Sequence, residues 1–234
     1  MFTTTALLSC LHALVLHGAL ARTTSPMLVQ PQAPWTAGDP VKVPVILGVM
    51  SACPDAILCE TVFDRVLARA AGKMDLQLTF VGTPDASVPD WGVDCKHGAL
   101  ECAGNVQELC AIAHAPFEQW WNFVHCQNFE GRYQVGRPET ALKCAKAAGL
   151  DWENGGVGAC AGASGDGKGE EGVRLLRESV RQTAAMGIEK SCTVMINGKQ
   201  VCVRDGEWRE CEQGHTSEDF VRQIEAEYNK LNAM

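Results

Sequence analysis

Two cysteines stand six positions apart in the stretch MSACPDAILCE, residues 50–60, in a setting typical of redox chemistry. Cys53 ends an apolar run, and Pro54 follows it at the first position of a predicted helix. A helix N-terminus presents unbonded backbone N–H groups and a partial positive charge, and both favour the thiolate, the nucleophile of disulfide exchange. The stretch therefore predicts a reactive cysteine at position 53; the alternative is that Cys53 is one half of a structural disulfide.

Redox sites in this setting carry C-x-x-C, but the third residue after Cys53 is Ala56, and the next cysteine is Cys59. Cα atoms three residues apart in an α-helix are separated by roughly 5 Å, within disulfide reach, whereas those six apart are separated by roughly 10 Å. An intact helix therefore excludes Cys59 as the direct partner of Cys53. The position of Cys59 on the apolar stripe of the helix predicts a buried thiol or a structural half-cystine.

The compartment decides how the twelve cysteines behave. Residues 6–21, ALLSCLHALVLHGALA, form an apolar stretch that ends in an A-x-A pattern, so a cleaved signal peptide is predicted over residues 1–21. A membrane anchor is the alternative, but a spanning helix needs roughly 20 apolar residues. Cleavage removes Cys10 and sends eleven cysteines into an oxidising compartment, and this odd number predicts one thiol that is reactive or paired between molecules.

The order of the predicted elements positions Cys53. A buried strand over Val43–Met50 precedes the helix that starts at Pro54, and a second strand covers Met74–Gly82. A further helix, a β-hairpin with an Asn-Gly turn and a final helix follow, in the segments EEGVRLLRESVRQTAAMG, CTVMI-NG-KQVCV and TSEDFVRQIEAEYNKLN. This order predicts an α/β, thioredoxin-like fold, with Cys53 at the carboxyl end of the first strand.

A disulfide-rich helical section is predicted to be inserted into this fold over about residues 83–165, and residues 154–172 are predicted to be a glycine-rich surface loop. The whole domain is predicted over residues 42–234, after a flexible leader over residues 22–41. The six cysteines of the insertion can pair among themselves in many ways, and their spacing does not choose. Cys202 and Cys211 flank an Asp-Gly turn and could join two strands.

The segment CKHGALECAGNVQELC, residues 95–110, resembles the signature of the gamma-interferon-inducible lysosomal thiol reductase (GILT) family, C-Q-H-G-x-x-E-C-x-x-N-x-x-x-x-C. Lys96 replaces the usual Gln. The resemblance extends over roughly residues 43–201. The matching positions are Cys95, His97, Gly98, Glu101, Cys102, Asn105 and Cys110.

The resemblance implies a thioredoxin-fold enzyme with a disulfide-bonded helical insertion that reduces protein disulfides in acidic, lysosome-like surroundings. The C-x-x-C motif of the family places its first cysteine on Cys53 and its second on Ala56. The second cysteine is therefore absent, which argues against ordinary dithiol reduction.

Cys192 is the candidate replacement for the missing thiol. Thioredoxin folds usually have a cis-proline just before the hairpin strand, packed against the active cysteine, and counting back from Asn197 and Gly198 places that position at or beside Cys192. We therefore hypothesise that Cys53 and Cys192 form the redox pair, or that Cys192 resolves mixed disulfides on Cys53. Alternatively, Cys192 bonds another cysteine or packs as a small apolar residue.

His97 and Glu101 could act as an acid and a base, but a structural role is favoured, in which the imidazole binds backbone carbonyls and holds the insertion in shape. No metal and no other cofactor are predicted, because the Cys and His positions lack a paired C-x-x-C and the compartment favours disulfides. Trp120 and Trp121 are predicted to pack within the insertion.

The sequence thus predicts a secreted or vacuolar/lysosomal thiol–disulfide oxidoreductase that acts on disulfide-bonded proteins, with Cys53 and Cys192 as catalytic residues. A monothiol enzyme, which needs a small-molecule thiol as reductant, is a variant of this prediction. The alternative is a redox-inactive, disulfide-stapled scaffold or binding protein, favoured by Ala56. The net charge of −8 argues against nucleic acid as a partner, and no membrane association is predicted after signal cleavage.

Overall fold

Residues 39–233 are described by a computed structural model. The predicted signal peptide and almost all of the predicted leader lie outside the described residues, and these two predictions stand untested. Within residues 39–233, no helix is long and apolar enough to cross a membrane.

A five-stranded mixed sheet with the strand order β2-β1-β5-β6-β7 forms the centre of the fold. β1 and β2 are parallel, with Val43 opposite Met74, whereas β5 runs antiparallel to β1 and pairs with β6 in the predicted hairpin. The short β7 follows the Asp-Gly turn at residues 205–206, where the sequence analysis allowed a second strand. The strands are β1 (Val43–Val49), β2 (Met74–Phe80), β5 (Thr193–Ile196), β6 (Lys199–Asp205) and β7 (Glu207–Arg209), while β3 (Thr83–Pro84) and β4 (Val93–Asp94) form a separate two-stranded sheet.

Three helices belong to the thioredoxin-like part: α1 (Pro54–Ala70), α6 (Glu170–Ala185) and α7 (Ser217–Leu231). α1 and α7 pack together through Phe63 and Phe220, whose ring centroids lie 5.1 Å apart. α6 contacts β2, where the backbone N–H of Phe80 donates to Ser179 Oγ at 3.0 Å. The predicted α/β, thioredoxin-like fold is therefore confirmed.

Four helices lie between β4 and α6: α2 (Ala99–His114), α3 (Phe117–Glu130), α4 (Pro138–Ala148) and α5 (Val157–Ala161). Trp120 and Trp121 are buried on α3, as predicted. The six cysteines of this insertion pair among themselves, and the predicted bond between Cys202 and Cys211 is present. The bonds are Cys95–Cys102, Cys110–Cys160, Cys126–Cys144 and Cys202–Cys211.

The prediction of a glycine-rich surface loop over residues 154–172 is wrong in two respects. The segment contains helix α5 and the first residues of α6, and several of its residues are buried. Its glycines serve close packing: a Cβ at Gly172 would lie 2.7 Å from Cys110 Sγ and 2.8 Å from the carbonyl oxygen of Cys160. The absence of side chains thus lets α6 approach the Cys110–Cys160 disulfide.

Candidate redox site

Cys53 occupies the N-cap position of α1, with φ −83° and ψ 126°, and Pro54 starts the helix. The extended backbone of Cys53 directs its carbonyl into the helix, where it accepts a hydrogen bond from the N–H of Ile57 at 3.1 Å. Cys53 is the single free cysteine in the part of the chain that the structure describes. Its residue surface is 6% exposed, and its Sγ donates to the carbonyl oxygen of Ser191 at 3.7 Å.

The turn before Cys53 is held by helix α2 of the insertion. The backbone N–H of Ser51 donates to Asn105 Oδ1 at 2.9 Å, and the Ser51 hydroxyl donates to the carbonyl oxygen of Glu101 at 3.1 Å. A Cβ at Gly104 would lie 2.6 Å from Ser51 Oγ, so the turn and the helix are in close contact. The inserted section therefore positions the β1–α1 turn that carries Cys53.

His97 and Glu101 hold the start of α2 in shape. Glu101 is fully buried; its Oε1 accepts from the backbone N–H of His97 at 3.1 Å, and its Oε2 pairs with the His97 ring at Nδ1. The Cys95–Cys102 disulfide closes the same turn. The structural interpretation fits these contacts, although the expected partner was wrong: the imidazole binds a carboxylate instead of backbone carbonyls.

Cys53 and Cys192 are not bonded to each other in this structure, because Cys192 forms a disulfide with Cys59, which is the alternative considered for Cys192; a joint redox role of Cys53 and Cys192 stays a prediction. The Cα atoms of Cys59 and Cys192 lie 6.3 Å apart, and both residues are fully buried. Cys59 is therefore a half-cystine, one of the two alternatives predicted from its position on α1. The register prediction is confirmed, because Cys192 directly precedes β5.

The other side of Cys192 is tied to α1 through strand β6. Cys192 and Arg204 exchange two backbone hydrogen bonds, at 3.0 and 2.8 Å. Asp55, in the first turn of α1, lies 3.5 Å from Arg204 Nε and accepts from the backbone N–H of Gly206 at 3.0 Å. The negative charge beside Cys53 is thus paired, and the hairpin is fixed to the helix N-terminus.

Two carboxyl groups are buried on the helices that form the site, Glu60 on α1 and Glu108 on α2. Burial raises the pKa of Glu60 to about 7, although the hydrogen bond from Asn128 opposes this shift. Asn128 Nδ2 donates to Glu60 Oε2 at 2.6 Å. The pKa of Glu108 is also raised, first by burial and then by the nearby carboxyls of Glu60 and Glu101. Both groups therefore favour their neutral forms in the folded protein at acidic pH.

Among residues 39–233, one cluster brings three metal-binding residue types together: His114, Cys160 and Glu171 have ligand atoms within 4.8 Å of one another. The sulfur of Cys160 is bonded to Cys110, so no thiolate is available there. His114 and Glu171 bind each other instead, with His114 Nε2 3.1 Å from Glu171 Oε1.

Three residues of the site escaped the sequence analysis: Ser51, Asp55 as a partner of β6, and Ser191. Asn105 was noted within the signature, but its contact with Ser51 was not predicted. The one signal in the sequence was the fixed Asn of the signature, at position 105; the structure shows that its partner, Ser51, lies outside the signature. Ser191 carried no comparable signal, because its role comes from tertiary contacts with Cys53 and with the backbone N–H of Met50, at 2.9 Å from Ser191 Oγ.

A free cysteine at the N-terminus of the helix after the first strand, within a mixed sheet of this order, is the arrangement of the thioredoxin-like fold. Solved structures of this fold are similar to the chain. BdbD from Bacillus subtilis has a TM-score of 0.58 at 12% identity, covering 83% of this chain and 90% of BdbD. MdbA from Corynebacterium diphtheriae, a thiol-disulfide oxidoreductase, has a TM-score of 0.55 at 16% identity, covering 78% of this chain and 83% of MdbA. These likenesses establish the fold.

A match in sequence complements the likeness in structure. Residues 44–148 match the family model for gamma interferon inducible lysosomal thiol reductase (GILT), and this match supports the resemblance to that family carried by the signature. The match includes Cys53 and the whole signature and ends before Cys192. No curated protein matches the chain.

Proposed function

We propose that this oxidoreductase reduces the disulfide bonds of protein substrates in an acidic compartment of the secretory pathway, with Cys53 as the attacking thiol. The observation that carries the proposal is that Cys53 alone among the cysteines of residues 39–233 is unbonded, and that it stands at the N-cap of α1. Every other cysteine of this region is held in a disulfide. A scaffold would not require a thiol at a helix N-terminus.

The chemistry begins with attack of the Cys53 thiolate on one sulfur of the substrate disulfide. A mixed disulfide forms between Cys53 and the substrate, and the second substrate sulfur leaves as a thiolate. Ala56 supplies no thiol to resolve the mixed disulfide within the helix. A second thiol must therefore complete the reduction, and a low-molecular-weight thiol from the compartment can do so.

An acidic compartment is supported by the buried carboxyls. Burial raises the pKa of Glu60 to about 7, so this residue is neutral in the folded protein at lysosomal pH. The desolvation cost of a buried carboxyl group is lowest in its neutral form. The five disulfides support an oxidising environment during folding. A lysosome or a vacuole fits the acidic conditions of the proposal, and the extracellular space is the alternative destination.

Reduction of insulin by the protein, with a low-molecular-weight thiol as electron source, tests the proposal at about pH 4.5 and about pH 7, because thiolate availability limits exchange at acidic pH. Wild-type protein is expected to accelerate reduction at both pH values, and Cys53→Ser is expected to abolish the acceleration. The Cys202→Ser/Cys211→Ser double variant, which lacks the disulfide between β6 and the segment after β7 but keeps Cys53, is the matched control and should stay active. An inactive wild type would overturn the proposal.

A redox-inactive scaffold remains the second candidate, because two observations favour it. Cys53 is only 6% exposed, and Ala56 replaces the second thiol of the family motif. The two candidates differ in a direct measurement: the scaffold predicts that glutathione disulfide leaves folded Cys53 unmodified, whereas the oxidoreductase predicts a mixed disulfide at Cys53.

A further inference from the structure

The fold brings three cysteines to the start of α1 and leaves one of them free. Cys53 is unbonded at the N-cap, and Cys59 lies on the buried side of the same helix, bonded to Cys192. Cys59 cannot bond Cys53 directly, because Cα atoms six residues apart in a helix are roughly 10 Å apart. Thiol–disulfide exchange between Cys53 and Cys59 must therefore pass through Cys192.

Cys192 is adjacent to Cys53 on the structure's own contacts. The Cys53 thiol lies 3.7 Å from the carbonyl oxygen of Ser191, which belongs to the peptide group that leads into Cys192. On the other side, Cys192 pairs with Arg204, which is fixed to Asp55 in the first turn of α1. Cys192 is thus held near the start of α1 in two ways: through Ser191, which contacts Cys53, and through Arg204, which contacts Asp55.

We propose that Cys53, Cys192 and Cys59 form a three-cysteine relay, in which the Cys59–Cys192 disulfide is the oxidised form of an internal electron store that serves Cys53. This inference rests on the proposed function, because it takes Cys53 as the thiol that meets the substrate. It assigns to Cys59 and Cys192 together the task that the second cysteine of C-x-x-C performs elsewhere.

The relay starts from a protein in which Cys53, Cys59 and Cys192 are all thiols. Cys53 attacks the substrate disulfide, and a mixed disulfide forms while the first substrate thiol leaves. The Cys192 thiolate then attacks the sulfur of Cys53, which forms a Cys53–Cys192 bond and releases the second substrate thiol. Finally, the Cys59 thiolate attacks the sulfur of Cys192 and releases Cys53. Two electrons and two protons pass from Cys59 and Cys192 to the substrate, and the product is the state seen in the structure.

Recharging of the store follows the same steps in reverse. Cys59 and Cys192 are fully buried, whereas Cys53 is 6% exposed, so an external thiol reaches Cys53 first. Cys53 attacks Cys192 and releases Cys59; one molecule of a low-molecular-weight thiol then displaces Cys192 from Cys53, and a second molecule frees Cys53. The two external thiols leave as their disulfide, and the protein regains three thiols.

The rate at which glutathione reduces each disulfide of the full mature chain tests the relay, with differential alkylation and mass spectrometry as the readout. If Cys53 is the entry point, Cys53→Ser should slow reduction of Cys59–Cys192 by roughly tenfold or more, because the buried bond loses its attacking thiol. The Cys202–Cys211 bond of the same molecules is the internal control and should be reduced at an unchanged rate. Equal reduction of Cys59–Cys192 in wild type and Cys53→Ser would overturn the relay.

A second variant keeps failure of the relay distinct from failure of the proposed function. In Cys59→Ser, the relay predicts that non-reducing peptide mapping finds Cys53 bonded to Cys192. In the Cys59→Ser/Cys192→Ser double variant, the proposed function predicts a mixed disulfide between glutathione and Cys53. If the mixed disulfide forms but Cys53 and Cys192 both stay free in Cys59→Ser, Cys53 is reactive and the relay is wrong. If no mixed disulfide forms, the proposed function itself fails, and the relay with it.

Discussion

The side chain of Asn105 holds the backbone of Ser51, two residues before the free cysteine, with Oδ1 2.9 Å from the Ser51 nitrogen. Both residues are buried, and they are separated by 54 positions in the chain. This contact connects the signature segment of the insertion to the turn that presents Cys53. The spacing of Glu101, Gly104 and Asn105 along α2 has a structural reason, because all three residues contact Ser51.

Substitution of Asn105 by Ala should therefore damage both stability and activity. The buried Ser51 N–H loses its acceptor, which costs about 1–3 kcal/mol of unfolding free energy. Displacement of the turn should lower the rate of insulin reduction by roughly tenfold, because reactive groups tolerate little misplacement. Asn122→Ala, at an exposed position of α3, is the matched control for both urea unfolding and activity. Wild-type behaviour of Asn105→Ala would show that the contact does not position the site.

Stability should fall as pH rises towards neutrality. The pKa of Glu60 is raised from 4.5 to about 7 in the folded protein, so below about 4.5 both folded and unfolded states hold the proton. Between these values only the folded state retains it, and stability decreases with pH; above 7 both states are ionised. The loss amounts to roughly 3 kcal/mol from this residue, and Glu108 acts in the same direction. Urea unfolding at a series of pH values measures the slope.

Glu60→Gln isolates this effect. Its amide oxygen can still accept from Asn128, while its charge no longer titrates, so the decrease in stability between acidic and neutral pH should shrink. Glu153→Gln, at an exposed position, should leave the slope as in wild type. A slope that persists unchanged in Glu60→Gln would assign the pH dependence to other groups.

Local sequence patterns were enough to predict the order of the main elements and the site of the free thiol. The apolar run before Cys53, Pro54 after it and the turn at Asn197 and Gly198 act locally, and together they placed Cys192 near the site. The partner of Cys192 was beyond reach, because helix geometry separates Cys53 from Cys59 but says nothing about which of them a distant residue meets.

The insertion was less predictable for the same reason. Disulfide partners depend on tertiary separation, so the spacing of Cys110, Cys126, Cys144 and Cys160 did not select their bonds. The glycines of residues 154–172 suggested an exposed loop, yet Gly169 and Gly172 are needed where the chain approaches the buried Cys110–Cys160 disulfide. Composition alone does not distinguish a glycine that gives a loop conformational freedom from a glycine that allows close packing of two segments.

Removal of the Cys59–Cys192 bond should destabilise the fold more than removal of Cys202–Cys211. The two bonds span 133 and 9 residues, and restriction of the unfolded chain is greater for the longer loop. The loop-entropy relation gives about 5 kcal/mol for the first and about 3 kcal/mol for the second, before repacking of the buried sites. Urea unfolding of Cys59→Ala/Cys192→Ala and Cys202→Ala/Cys211→Ala makes the comparison. Equal losses would show that the unfolded state is already restricted by the remaining disulfides.

Restoration of the family motif should bypass the internal store. Ala56 lies three residues after Cys53 on α1, so Ala56→Cys places two thiols at a Cα separation of roughly 5 Å, within disulfide reach. In the oxidised variant we expect a bond between Cys53 and the thiol introduced at position 56, and insulin reduction that survives the additional change Cys192→Ser. Ala56→Ser introduces a group of similar size without a thiol into the same position, which is 1% exposed, and controls for crowding. If Ala56→Cys stays dependent on Cys192 while it and Ala56→Ser both fold, the thiol introduced at position 56 does not resolve the mixed disulfide on Cys53, and the expected bypass is wrong.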